Sequence, residues 1–129
     1  MRLLSLLISV ALASQTKDAE PADFQLAFPR SGGLLTLHNP VVGDSLEISL
    51  VSNITTGYDW EVSSARQVKL ISQNYIEKPT KMKGAPGTSV FRFDLEEEPA
   101  DGEQLIKLVY KRSWTDDIVA EALVEVLMD

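Results

Sequence analysis

The sequence predicts an all-β fold, an antiparallel β-sandwich of about seven strands. Two observations carry this. From Phe24 onward the chain breaks into short runs of alternating hydrophobicity, and each run is bounded by Gly, Pro, Asn or Asp. The length, 129 residues, suits one domain with a sizeable core and is short for two.

The runs follow in order. Gln25 to Phe28 and Leu34 to Leu37 flank a Pro29/Gly32-Gly33 break and read as a first strand interrupted by a bend, together forming an edge. Asp44 to Leu50 places Leu46, Ile48 and Leu50 on one face and Ser45, Glu47 and Ser49 on the other, a half-buried strand. Tyr58 to Val62 carries Tyr58, Trp60 and Val62 at a period of two, which assigns Trp60 to the core. Val68 to Tyr75 is a less regular pair of segments. Ser89 to Leu95 sets Phe91, Phe93 and Leu95 inward, and Gln104 to Tyr110 does the same with Ile106, Leu108 and Tyr110. Between them Glu96 to Glu103, EEEPADGE, is a solvated turn whose acids lack the spacing of a calcium loop. Ile118 to Met128 has the Ala, Glu and Leu content of a helix, yet Ala120, Ala122, Val124 and Val126 also alternate. It is read as the last strand because the preceding runs leave an antiparallel partner wanted.

Ahead of this body, Met1-Arg2 and the apolar run Leu3 to Leu12 have the form of a secretory signal. Ala11-Leu12-Ala13 fits small-x-small cleavage, so residues 1–13 are assigned to the signal and 14–23 to a polar, flexible tail, with the domain at 24–129. The expected destination is secretion, or the periplasm in a bacterium.

Composition narrows the chemistry. Twelve Lys plus Arg against nineteen Asp plus Glu give a formal charge of -7, so no nucleic acid and no anionic membrane is expected as partner. The absence of cysteine excludes a disulfide scaffold, a thiolate zinc site and a cysteine nucleophile. His38 is the only histidine, and there is no GxSxG elbow or HExxH pair, so no enzyme, metal or cofactor is expected. With no exposed apolar stripe evident, the chain is read as a monomer.

Alternating strands bring three connections to one end of the sandwich. These carry Asn53-Ile54-Thr55-Thr56-Gly57-Tyr58, then Gly84-Ala85-Pro86-Gly87-Thr88, then Arg112-Ser113-Trp114. Taken singly, the first also fits a plain β-turn with Tyr58 packed inward, and the second a plain hairpin connection. Trp114 in the polar stretch KRSWTDD reads as a contact residue.

In that order the three segments resemble the chagasin family of cysteine protease inhibitors, whose marks are NPTTGY, GxGG and RPW loops. The resemblance spans roughly Leu35 to Val126. It implies an immunoglobulin-like sandwich that binds papain-like, cathepsin-like proteases reversibly and tightly by filling the cleft with three loops. Asn53, Thr55, Thr56, Gly57 and Tyr58 would form the first loop, with the two threonines over the enzyme's Cys/His pair. Gly84, Ala85, Pro86, Gly87 and Thr88 would run along the non-primed side, and Arg112 with Trp114 would engage the primed side. The alternative from the residues alone is a noninhibitory immunoglobulin-like module binding a glycan or surface protein.

Three departures from the family pattern matter. Ile54 stands where the family has Pro, which loosens the first loop at a cost of about 0.4–1 kcal/mol. It also makes Asn53-Ile54-Thr55 a glycosylation acceptor, so Asn53 is a candidate glycan site in a glycosylating secretory pathway. Pro86 replaces a glycine and removes an N–H donor, and Ser113 replaces the proline of RPW. Lys78, Lys81, Lys83, Lys111 and Arg112 gather near this end and predict association that slows with salt.

Overall fold

The structure, a computed structural model, describes residues 21–53, 56–77 and 87–129. The signal segment 1–13, most of the polar tail, Ile54, Thr55, and Lys78 to Pro86 lie outside the described residues. Eight strands are present: β1 (Phe24–Phe28), β2 (Gly32–His38), β3 (Ser45–Ser52), β4 (Tyr58–Ala65), β5 (Val68–Ile76), β6 (Gly87–Leu95), β7 (Gln104–Arg112) and β8 (Ala120–Leu127). They form two four-stranded sheets ordered β1-β3-β6-β5 and β2-β8-β7-β4.

The inner faces are those the alternation predicts. Leu46, Ile48 and Leu50 of β3 meet Phe91 and Phe93 of β6 in register, and all five are fully buried. Trp60, Ile106, Leu108, Ala122, Val124 and Leu37 supply the opposing face, so the core is continuous from sheet to sheet. Removing such side chains from water is the main stabilising term, roughly 1.5–3 kcal/mol for each large one.

Leu105 is buried as well, although alternation places it outside. A register shift between Gln104 and Ile106 bends the start of β7 and moves it into the core cluster. A second shift between Leu70 and Ser72 on β5 explains the irregular pattern of Val68 to Ile76. The C-terminal run is a strand despite its helical composition, because β8 is hydrogen-bonded on both sides, to β7 and β2. Tertiary pairing overrides a propensity worth only tenths of a kcal/mol per residue.

One reading is corrected. The first two runs are not a single interrupted edge strand but two strands on different sheets. β1 pairs parallel with β3 and β2 pairs parallel with β8, so each edge of this kind is mixed rather than antiparallel. Pro29 to Gly32 is a tight turn between them, closed by the Gly32 N–H donating to the Pro29 carbonyl at 2.9 Å. Gly32 has φ +75°, and any side chain there would collide with the Glu121 carbonyl, so the crossing from sheet to sheet requires glycine. The first strand expected thus becomes two, which brings the count to eight, and successive strands alternate in direction.

Candidate functional site

That alternation fixes which connections share an end. β3 finishes at Ser52, opposite Gly87 at the start of β6, and β7 finishes at Arg112, opposite Tyr58 at the start of β4. β5 finishes at Ile76, opposite Thr88. The β3–β4, β5–β6 and β7–β8 connections therefore emerge together, as the sequence predicts. The Pro29–Gly32 turn joins them, because Phe28 lies beside Leu50 and Gly32 beside Glu121.

An aromatic stack runs from the core to this end. Trp60, fully buried, donates its Nε1–H to the Val51 carbonyl at 3.0 Å and packs on Tyr110 with ring centres 5.0 Å apart. Tyr110 stacks on Tyr58 at 5.5 Å, and the Arg112 guanidinium lies over the Tyr58 ring at 4.6 Å. The same guanidinium is 5.9 Å from the Trp114 ring centre. Each layer limits the freedom of the next, so a charged and an aromatic side chain are oriented at the surface by rings anchored beneath.

Trp114 is 69% exposed. Its turn is closed by the Thr115 N–H donating to the Arg112 carbonyl at 3.2 Å, and Lys111 Nζ donates to the Thr115 carbonyl at 2.9 Å. The indole is aligned over Gly57, whose φ is +85° and where a Cβ would come within 2.7 Å of Cη2 of Trp114. The first and third loops are thus fitted to each other at the one position that has no side chain.

The first loop is braced from within. The Asn53 N–H donates to the Tyr110 hydroxyl at 3.1 Å, while Thr56 donates both its N–H (3.2 Å) and its hydroxyl (2.7 Å) to the Asn53 carbonyl. The Tyr58 N–H donates back to Thr56 Oγ1 at 3.4 Å. Thr56 itself remains exposed, and Asn53 and Tyr58 are half-buried. These bonds hold the described part of the loop without a proline at Ile54.

Beneath the loops Asp59 ties the sheets together, accepting from the Ser52 and Ser89 hydroxyls at 3.5 and 3.3 Å and from the Trp60 N–H at 2.8 Å. Sequence reasoning missed this clasp, since one Asp among nineteen acids carries no signal of its partners.

The second loop is described only at its end. Gly87 and Thr88 belong to β6, not to the connection, and Gly87 is buried. A Cβ there would fall 2.5 Å from the Ile76 carbonyl and from the Tyr75 hydroxyl, so its small size is a packing requirement inside the sheet. Gly84, Ala85 and Pro86, with Lys78, Lys81 and Lys83, lie outside the described residues. Lys111, grouped with them by sequence, is engaged with Glu61 at 3.6 Å and with Thr115.

Among the described residues no group of three His, Cys, Asp or Glu side chains is arranged to hold a metal ion. The acidic turn is closed by its own acid: Glu103 accepts from the Ala100 N–H and from Gln67 Nε2, both at 3.0 Å. These bonds, the backbone one first, and nearby Arg66 hold its carboxyl below the usual carboxylate range.

Comparison with known proteins agrees with this architecture. The solution structure of amebosin superposes with a TM-score of 0.58 at 22% identity, covering 85% of this chain and all of that one. The cysteine protease inhibitor EhICP2 from Entamoeba histolytica gives 0.57 at 19% identity, with the same coverage. PbICP-C, solved in complex with falcipain-2, gives 0.50 at 17% identity, covering 81% of this chain and 98% of that one. These likenesses establish the fold. In sequence, chagasin of Trypanosoma cruzi is 32% identical over 91 residues, which are 66% of this chain and 77% of chagasin. The family model described as chagasin family peptidase inhibitor I42 matches residues 39–126, which include both described loops and the second loop between them. The chain belongs to the chagasin family of peptidase inhibitors.

Proposed function

We propose that this protein is a reversible, tight-binding inhibitor of papain-like cysteine proteases that fills the active-site cleft with the three loops at one end of its sandwich. The observation that carries this reading is Trp114: a large aromatic, 69% exposed, that packs against Gly57 beside the Arg112 guanidinium. An exposed aromatic packed beside an exposed arginine is the composition of a binding hot spot, and contacts that favour one arrangement in advance lower the ordering cost of association. Thr55 and Thr56 of the first loop lie over the protease's catalytic pair, and Arg112 and Trp114 engage the primed side. Gly84, Ala85 and Pro86 supply the non-primed contact. The protein acts after secretion, its N-terminal segment having been removed.

The test is titration of a papain-like protease with the recombinant protein made without glycosylation. Stoichiometric, reversible inhibition with the inhibitor recovered uncleaved is the expected result. No inhibition of several such enzymes by a demonstrably folded sample refutes the reading.

A further inference from the structure

The Pro29–Gly32 turn belongs to no loop that the family resemblance singles out, yet the topology delivers it to the same end of the molecule. It stands beside the β7–β8 connection. Arg30, exposed at its tip, and Arg112 line one groove of about 440 Å3, with Thr56, Tyr58 and Val119 on the same walls. A second groove of about 640 Å3 continues from it past Pro29, Val51 and Ala120, so its surroundings are largely apolar.

The groove carries two arginines in a chain with nineteen acids and twelve bases. Arg92, Lys107 and Lys111 are each ion-paired. Among the described residues neither Arg30 nor Arg112 has a carboxylate within salt-bridge distance, as is also true of Arg66 and Lys69, but only Arg30 and Arg112 share a groove. The Arg112 guanidinium lies over the Tyr58 ring, 4.6 Å from its centre, and the residue is exposed, so its N–H donors can be reached from solvent. Two guanidiniums on one groove repel each other weakly until an anion sits between them, and a carboxylate matches the fork geometry. Val119, 57% exposed, adds an apolar wall for the stem of the side chain that carries it.

We infer that the Pro29–Gly32 turn is a fourth contact element, and that Arg30 and Arg112 together seat one acidic side chain from the target protease, on the rim of its active-site cleft. This rests on the inhibitory reading above. It makes the groove a determinant of which proteases are preferred, in favour of those with an Asp or Glu at that rim position.

The experiment measures association rate and inhibition constant for the wild-type chain and for Arg30→Gln, Arg30→Glu and Trp114→Ala, against a papain-like protease with an acidic cleft rim. Measurements are made at low and physiological salt, with folding checked by circular dichroism. Arg30→Glu is expected to slow association roughly tenfold at low salt and less at high salt, as reversal of an interfacial rim charge does. Neutralising one rim carboxylate of the protease should reproduce that loss and be non-additive with Arg30→Gln. If Arg30→Gln and Arg30→Glu both stay within roughly twofold of wild type while Trp114→Ala is impaired, the fourth element is refuted and the inhibitory reading stands. If the wild-type chain does not inhibit at all, both fall together.

Discussion

At the end of the sandwich away from the loops, polar side chains bond backbone N–H groups, two within their own turns and two on the C-terminal residues that follow β8. Asp44 accepts from the Val41 N–H, Asp101 from Met128, Asn39 from Asp129 and Glu103 from Ala100, all at 2.8–3.0 Å. At the loop end Thr56 and Lys111 bond turn backbone in the same way, and rings add support from below: Trp60 supports Tyr110, Tyr110 supports Tyr58, and Tyr58 supports Arg112. The far end also exposes side chains, Val41 and Val42 among them, on the turn that Asp44 closes. A column of aromatics instead carries the rigidity of the core outward and ends in groups that face solvent. The difference is that, among the described residues, only the loop end carries a charged and an aromatic group stacked on rings of the core.

The first way to break this contrast is at the base of the column. Trp60→Ala removes a fully buried indole and orphans the Val51 carbonyl, so it should cost about 3–5 kcal/mol in denaturant unfolding, a large share of a small domain's stability. Inhibition should be lost with the fold. Gly57→Ala acts higher up. The positive φ costs about 1–2 kcal/mol, and the added methyl displaces the indole of Trp114. Inhibition should weaken roughly tenfold, and the substitution should cause little further loss in a Trp114→Ala background, since both act through one side chain.

Tyr110→Phe keeps the ring and deletes the acceptor for the Asn53 N–H. It should cost about 1 kcal/mol of stability and loosen the first loop, read as faster dissociation of the protease complex. The smallest effect belongs to the other end. Because the Glu103 carboxyl is held below its ordinary range in the folded state, its contribution is present above that range and is lost as pH falls through the folded value. Thermal stability of Glu103→Gln should therefore decline less than that of wild type on acidification below the ordinary carboxylate pKa, with inhibition at neutral pH unchanged.

Much of this was legible in the sequence. Strands such as Leu46-Glu47-Ile48 and Phe91-Arg92-Phe93 announce their inner face because the strand period is two and one face is buried. The grouping of the Asn53–Tyr58 and Arg112–Trp114 connections follows from alternation alone. What was not legible depends on pairing between distant segments. Pro29 and Gly32-Gly33 mark a break, but nothing local distinguishes a bend within one strand from a turn between two sheets. That distinction rests on whether β2 pairs with β8, more than eighty residues later in the chain. For the same reason Arg30 attracted no attention, and Gly87 looked like a loop glycine until Tyr75 and Ile76 appeared beside it. Nor could the sequence show that the Thr56 hydroxyl donates to the Asn53 carbonyl, a bond that depends on the fold of the loop.

The most direct test of the central claim is Trp114→Ala, with unfolding free energy and inhibition constant measured on the same preparation. An indole that is 69% exposed and presented for a partner predicts a stability change within about 0.5 kcal/mol and inhibition weakened by roughly thirtyfold or more. Inhibition unchanged by the loss of Trp114 in a folded protein would contradict the account.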